Sequence, residues 1–166
     1  PMQASATLPT FELLPAHARV WIYKSATPFS QEQRSLIRER GFAFTSAWKS
    51  HGQEVVGAME VLNDHFIALA ADIQDMRICG GAIDASTRLV KELERDLGLQ
   101  LTDRMVVVYE LNGALHACRV PQLEELVKNG TLNGDTIVFD DLVATKGDMD
   151  ARFRTSLRNT WMARYL

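Results

Sequence analysis

The stretch Gln53-Glu54-Val55-Val56-Gly57-Ala58-Met59-Glu60-Val61-Leu62-Asn63-Asp64-His65-Phe66-Ile67-Ala68-Leu69-Ala70-Ala71-Asp72-Ile73 decides the fold class. Two apolar runs, Gln53 to Leu62 and His65 to Ile73, flank Asn63-Asp64, a pair that tolerates left-handed backbone. They predict two antiparallel strands joined by a tight hairpin turn. Upstream lies Arg19-Val20-Trp21-Ile22-Tyr23-Lys24, aromatic and β-branched, which predicts a strand closed by the turn-forming Ser25-Ala26-Thr27-Pro28. Between them Ser30-Gln31-Glu32-Gln33 has capping-box spacing, so a helix starts there, with Leu36 and Ile37 inward. Gly41 is expected to stop it, before a short continued helix carrying Phe42, Phe44, Ala47 and Trp48.

Downstream, Cys79-Gly80-Gly81-Ala82-Ile83-Asp84-Ala85-Ser86 reads as a small-residue turn running into an amphipathic helix over residues 87–97. Leu89, Val90, Leu93 and Leu97 form its apolar face and Gly98 its stop. Arg104 to Leu111 and Ala114 to Val120 surround Asn112-Gly113, a strong hairpin signal. Pro121 opens a short helix that Gly130 closes, with Leu123, Leu126 and Val127 inward. Asp135-Thr136-Ile137-Val138-Phe139 predicts a last short strand. From Asp148 the tail is expected to be partly helical, with Phe153, Leu157 and Trp161 at i, i+4 and i+8.

Through Leu111 the order is strand, helix, strand, strand, helix, strand. That is the ferredoxin-like βαββαβ arrangement of the α+β class: an antiparallel sheet with helices on one face, here with a C-terminal hairpin and helix extension. The extension must either lengthen the sheet edge or cover the open face. An open face would bind something; a covered one would be core.

With 166 residues, the chain fits one domain, expected over residues 19–166. Residues 1–18 read as an N-terminal extension, and Pro1 ahead of Met2 as a residue left by tag removal. Residues 1–17 lack the basic and apolar regions of a signal peptide, and no run approaches the roughly 18 apolar residues of a membrane span, so a cytoplasmic location is expected. Apolar residues make up 46% and the net charge is −3, which disfavours nucleic acid and anionic membrane as partners. Cys79 and Cys118 are far apart in sequence and have no C-x-x-C spacing, so buried thiols are expected and no metal or cofactor is implied.

The glycine turn is the candidate site. Gly80 and Gly81 permit close backbone approach, and the amides of a helix N-terminus suit an anionic small molecule. Asp84 or Ser86 is expected to cap the helix, and Asp84 would compete with a bound anion. Cys79 is a weak nucleophile candidate, with His51, His65 and His116 as potential bases. His51, in Trp48-Lys49-Ser50-His51-Gly52, lies at a helix-to-strand junction where an imidazole can meet a ligand. The tail carries Arg152, Arg154, Arg158 and Arg164 among Phe153, Trp161 and Tyr165, a composition that serves a homodimer or protein contact.

No G-x-x-x-x-G-K-[ST], G-x-S-x-G or H-E-x-x-H occurs, which argues against a P-loop ATPase and against common hydrolase and metalloprotease chemistry. The strand at residues 65–69 also lacks the stacked aromatics of RNA-recognition domains. The residues favour a binding or interaction domain without catalysis of its own. The alternative is a small enzyme that uses residues 79–86 as an anion or oxyanion site with His51 as acid or base.

Five segments, Arg19-Val20-Trp21-Ile22-Tyr23, Trp48-x-x-His51-Gly52, Ile83-Asp84-x-Ser86, Asp135-Thr136-Ile137-Val138-Phe139 and Trp161-x-Ala163-Arg164, resemble a family of small bacterial proteins labelled ABC transporter ATPase. The resemblance implies no established activity, and the missing phosphate loop conflicts with the label. The ligand-binding candidates are Trp48, His51, Gly80, Gly81, Asp84, Ser86 and Arg164. In the family pattern a cysteine stands two residues before the Ile-Asp pair. Here that position is Gly81, with Cys79 two residues earlier, which lowers the expectation of cysteine catalysis.

Overall fold

A computed structural model of the chain describes residues 10–73 and 78–166; Pro1 and the rest of residues 1–9 lie outside the described residues. The first strand, β1, is Arg19–Lys24. Ser30 then caps α1, Gln31–Ala47: its hydroxyl accepts from the Gln33 amide at 3.1 Å, while the Gln33 side chain accepts from the Ser30 amide at 2.9 Å. The helix does not stop at Gly41, as expected, but runs through it. A Cβ at residue 41 would lie 2.7 Å from Met59 Sδ and 2.9 Å from Met59 Cβ, so this glycine serves close helix-on-sheet packing rather than helix termination.

Lys49–Ser50 (β2) and Gln53–Glu54 (β3) form a small ribbon ahead of β4, Val56–Leu62, so the strand expected from residue 53 is divided at buried Val55. The Asn63-Asp64 turn forms as expected, at φ 52° and 58°, with His65 still in the loop. Strand β5 is Phe66–Asp72, and α2 is Gly80–Leu97. The first sheet has antiparallel order β1-β5-β4.

Alternation along β5 assigns its faces. Ile67 packs with Ile37 of α1 and Leu89, Val90 and Leu93 of α2, while Leu69 and Ala71 pack with Trp48 and Ala82. Ala68 and Ala70 face the other way, and their small side chains admit Phe11, Leu14 and Ala18 from the N-terminal segment.

The second half begins with β6 (Val106–Leu111) and β7 (Ala114–Arg119), joined by Asn112-Gly113 at φ 54° and 80°. Helix α3 is Val120–Lys128, β8 Ile137–Phe139, α4 Lys146–Arg152 and β9 Arg154–Ser156. A second antiparallel sheet has order β7-β6-β8-β9. The chain is thus mixed α+β with antiparallel sheets, but the fourth strand expected beside β1 stands in the second sheet. Its edges are already taken, by β7 on one side and by β8 through the Tyr109 and Val138 pair on the other.

The second half covers the face that the sequence left undecided. Phe66 of β5 meets Phe139 and Phe153 at ring-centroid distances of 5.2 and 5.0 Å, so this face is core. The expected helical stripe in the tail is not formed. Phe153 follows α4 and joins the Phe66 cluster, whereas Leu157 and Trp161 occupy 3-10 turns and pack with Val107, Leu123 and Val138. Among the described residues no helix is long and apolar enough to cross a membrane.

Candidate functional site

The presumed glycine turn is the first turn of α2. The helix starts at Gly80, with Cys79 as N-cap, and neither Gly80 nor Gly81 has a positive φ. Asp84 and Ser86 therefore stand inside the helix and cap nothing. Ser86 is buried and its hydroxyl donates to the Ile83 carbonyl at 2.6 Å; Asp84 is exposed and leaves the first-turn amides uncovered by its own charge.

The β2–β3 ribbon is brought against this helix start. His51 (φ 53°) and Gly52 (φ 76°) form its two-residue turn, with both residues left-handed as such a turn requires. Ser50 Oγ accepts the Cys79 amide at 2.9 Å. Trp48, the C-cap of α1, is buried and its indole donates to the Ala82 carbonyl at 3.0 Å, pinning the two helices' ends together. The Cys79 thiol is half-buried, and the Ser50 hydroxyl, followed by the backbone amides of Ala82, His51 and Gly81, lowers its pKa from 9.0 to about 7. By contrast, burial pushes the Cys118 thiol up.

Of the expected bases, His51 is exposed and contributes its backbone amide near the sulfur. His65 is buried and its Nδ1 binds the Ser25 carbonyl at 2.9 Å, while His116 stacks on Tyr109. Among the described residues no imidazole is hydrogen-bonded to Cys79. The structure thus gathers Trp48, His51, Cys79, Gly80 and Gly81, together with Ser50, which sequence reasoning missed because a lone serine before a turn carries no pattern. Arg164 is not brought there. It is exposed and lies 5.9 Å from the Tyr165 ring centre. The other tail arginines are held within the chain: Arg152 by Asp140, Arg154 by Glu110 and Arg158 by Asp135.

A second feature arises from the place that the fourth strand left empty. A cleft of about 630 Å³ runs along the outer edge of β1, walled by Trp21, Tyr23, Thr87, Thr102, Leu142 and Trp161. Loops close the two ends of that edge: Val20 N–H donates to the Ala144 carbonyl at 2.9 Å, and Lys24 N–H to the Leu101 carbonyl at 3.2 Å. Lys24 is buried and donates from Nζ to Asp141 at 2.6 Å at the cleft wall. None of this was legible beforehand, since the cleft depends on which sheet receives Val106–Leu111. Comparison with protein-family models, curated proteins and solved structures gives no match to the chain.

Proposed function

We propose that this chain is a cytoplasmic α+β binding domain that takes its ligand in the cleft along β1, without catalysis by its own side chains. The observation that carries this reading is the cleft itself, about 630 Å³ with aromatic walls and a buried Lys24 paired to the half-buried Asp141. Concave sites with mostly apolar walls and a few convergent polar groups are where proteins hold small ligands. The β1–α1–β4–β5–α2 frame is read as a ferredoxin-like unit whose fourth place, beside β1, is given to the ligand. Two free thiols suit a reducing compartment. The family resemblance belongs to this proposal, whereas nucleotide hydrolysis does not.

A fragment screen read by backbone amide NMR shifts tests the location. Binders are expected to perturb Ile22, Thr102 and residues 141–143. Binders clustering elsewhere, or none at all, would overturn the reading.

A second reading is favoured by Cys79: an enzyme using the α2 N-terminus as an anion or oxyanion site. Its support is the thiol pKa of about 7 at the start of α2, where the amides of Gly81 and Ala82 face the sulfur. Titration with inorganic phosphate is expected, on this reading, to shift the amides of residues 80–82. Unmoved amides at high phosphate would sink it.

A further inference from the structure

We infer that the cleft holds a short extended peptide of two or three residues, bound through its backbone on the β1 edge and through its terminal carboxylate at Lys24 and Arg104. This rests on the proposed cleft and names its ligand. In an antiparallel strand the N–H and C=O of alternate residues point to the same edge. The amides of Val20 and Lys24 both bond outward, to Ala144 and Leu101, so the N–H and C=O of Ile22 between them face the cleft. No backbone partner meets them among the described residues.

A free donor and acceptor on one residue match an amide-containing ligand in strand geometry. Four residue steps separate the two closures, about 13 Å at roughly 3.3 Å per residue. That span admits two or three residues and excludes a full strand from a folded partner or from a second copy of the chain.

Charge indicates which end of the peptide is held. The Lys24 ammonium has three donors, its side chain is 9% exposed, and Asp141 takes one of them. The acidic groups of the cleft are already engaged: Asp141 by Lys24, and Asp103 by the Met105 amide at 2.9 Å and Arg119 at 3.2 Å. Arg104, exposed at the rim, makes no ion pair among the described residues. The unmatched charge is therefore positive. Trp21, Tyr23, Trp161 and the 67% exposed Leu142 offer flat apolar surface for a side chain of the peptide.

The probe is N-acetyl-Val-Phe with a free carboxylate, compared with its C-terminal amide and with benzoate, by calorimetry and NMR. Saturable binding of the acid, at least tenfold tighter than the amide, is expected, with a downfield shift of the Ile22 amide proton. Arg104→Glu is expected to weaken the acid at least tenfold without changing the fold. Ile22→Pro removes the outward donor while the β1–β5 hydrogen bonds survive, and is expected to abolish binding. Should that variant not fold, the Ile22 amide shift in the unaltered chain decides the matter. Equal binding of acid and amide, an unmoved Ile22 amide, or benzoate binding as tightly as the peptide would overturn the inference. Non-peptide fragments bound in the cleft without any peptide binding would overturn the inference but leave the proposed cleft standing; an empty cleft in both experiments would overturn both.

Discussion

Cys79 owes its chemistry to two neighbours that are remote in sequence: Ser50 and the amide-bearing turn at His51. Its pKa is lowered in the folded chain, so the thiolate stabilises the fold in full above the unfolded thiol's value, and this contribution is lost as pH falls through about 7. Alkylation by iodoacetamide is expected to inflect near pH 7, and Ser50→Ala to move the inflection toward 9.0. An inflection near 9 in the unaltered protein would contradict the geometry. Gly41 makes a second residue-scale case. Gly41→Ala gains helix propensity of about 1 kcal/mol but forces Met59, including its Cβ, out of place. A net loss of about 1–3 kcal/mol is expected in urea unfolding.

Elements differ in how much of themselves they carry in sequence. The α1 start is local: the capping box needs residues 30–33 and nothing else, and it forms. Ser30→Ala is expected to cost about 0.5–2 kcal/mol, measured by the same unfolding assay. The end of α1 is not local, because a glycine that closes a helix and one that admits a neighbour are the same letter. The α2 start fails for a related reason: Gly80 and Gly81 read as a turn, yet the Ser50 hydroxyl and the Trp48 indole fix this segment from outside and the helix begins at once. Turns with obligatory left-handed residues, at Asn63-Asp64 and Asn112-Gly113, were legible because their backbone geometry selects those side chains directly.

At the scale of the whole molecule, Phe66 joins the halves. It stands on β5 of the first sheet and touches Phe139 and Phe153 from the second. Phe66→Ala is expected to destabilise by about 3–5 kcal/mol, read from the shift in the urea midpoint at constant slope. A loss below about 1 kcal/mol would mean that the two sheets do not share this core.

The sequence by itself determined the α+β class, the capped start of α1, the two hairpins and the places of β1, β4, β5, β6, β7 and β8, but not the β2–β3 ribbon or β9. Each depends on side-chain periodicity or turn chemistry within a few residues. Tertiary structure alone decided the partner of Val106–Leu111, the covering of the sheet face and the meeting of Cys79 with Ser50. It also decided the cleft left beside β1. These follow from competition between distant edges and surfaces for burial and hydrogen bonds, which no local pattern encodes.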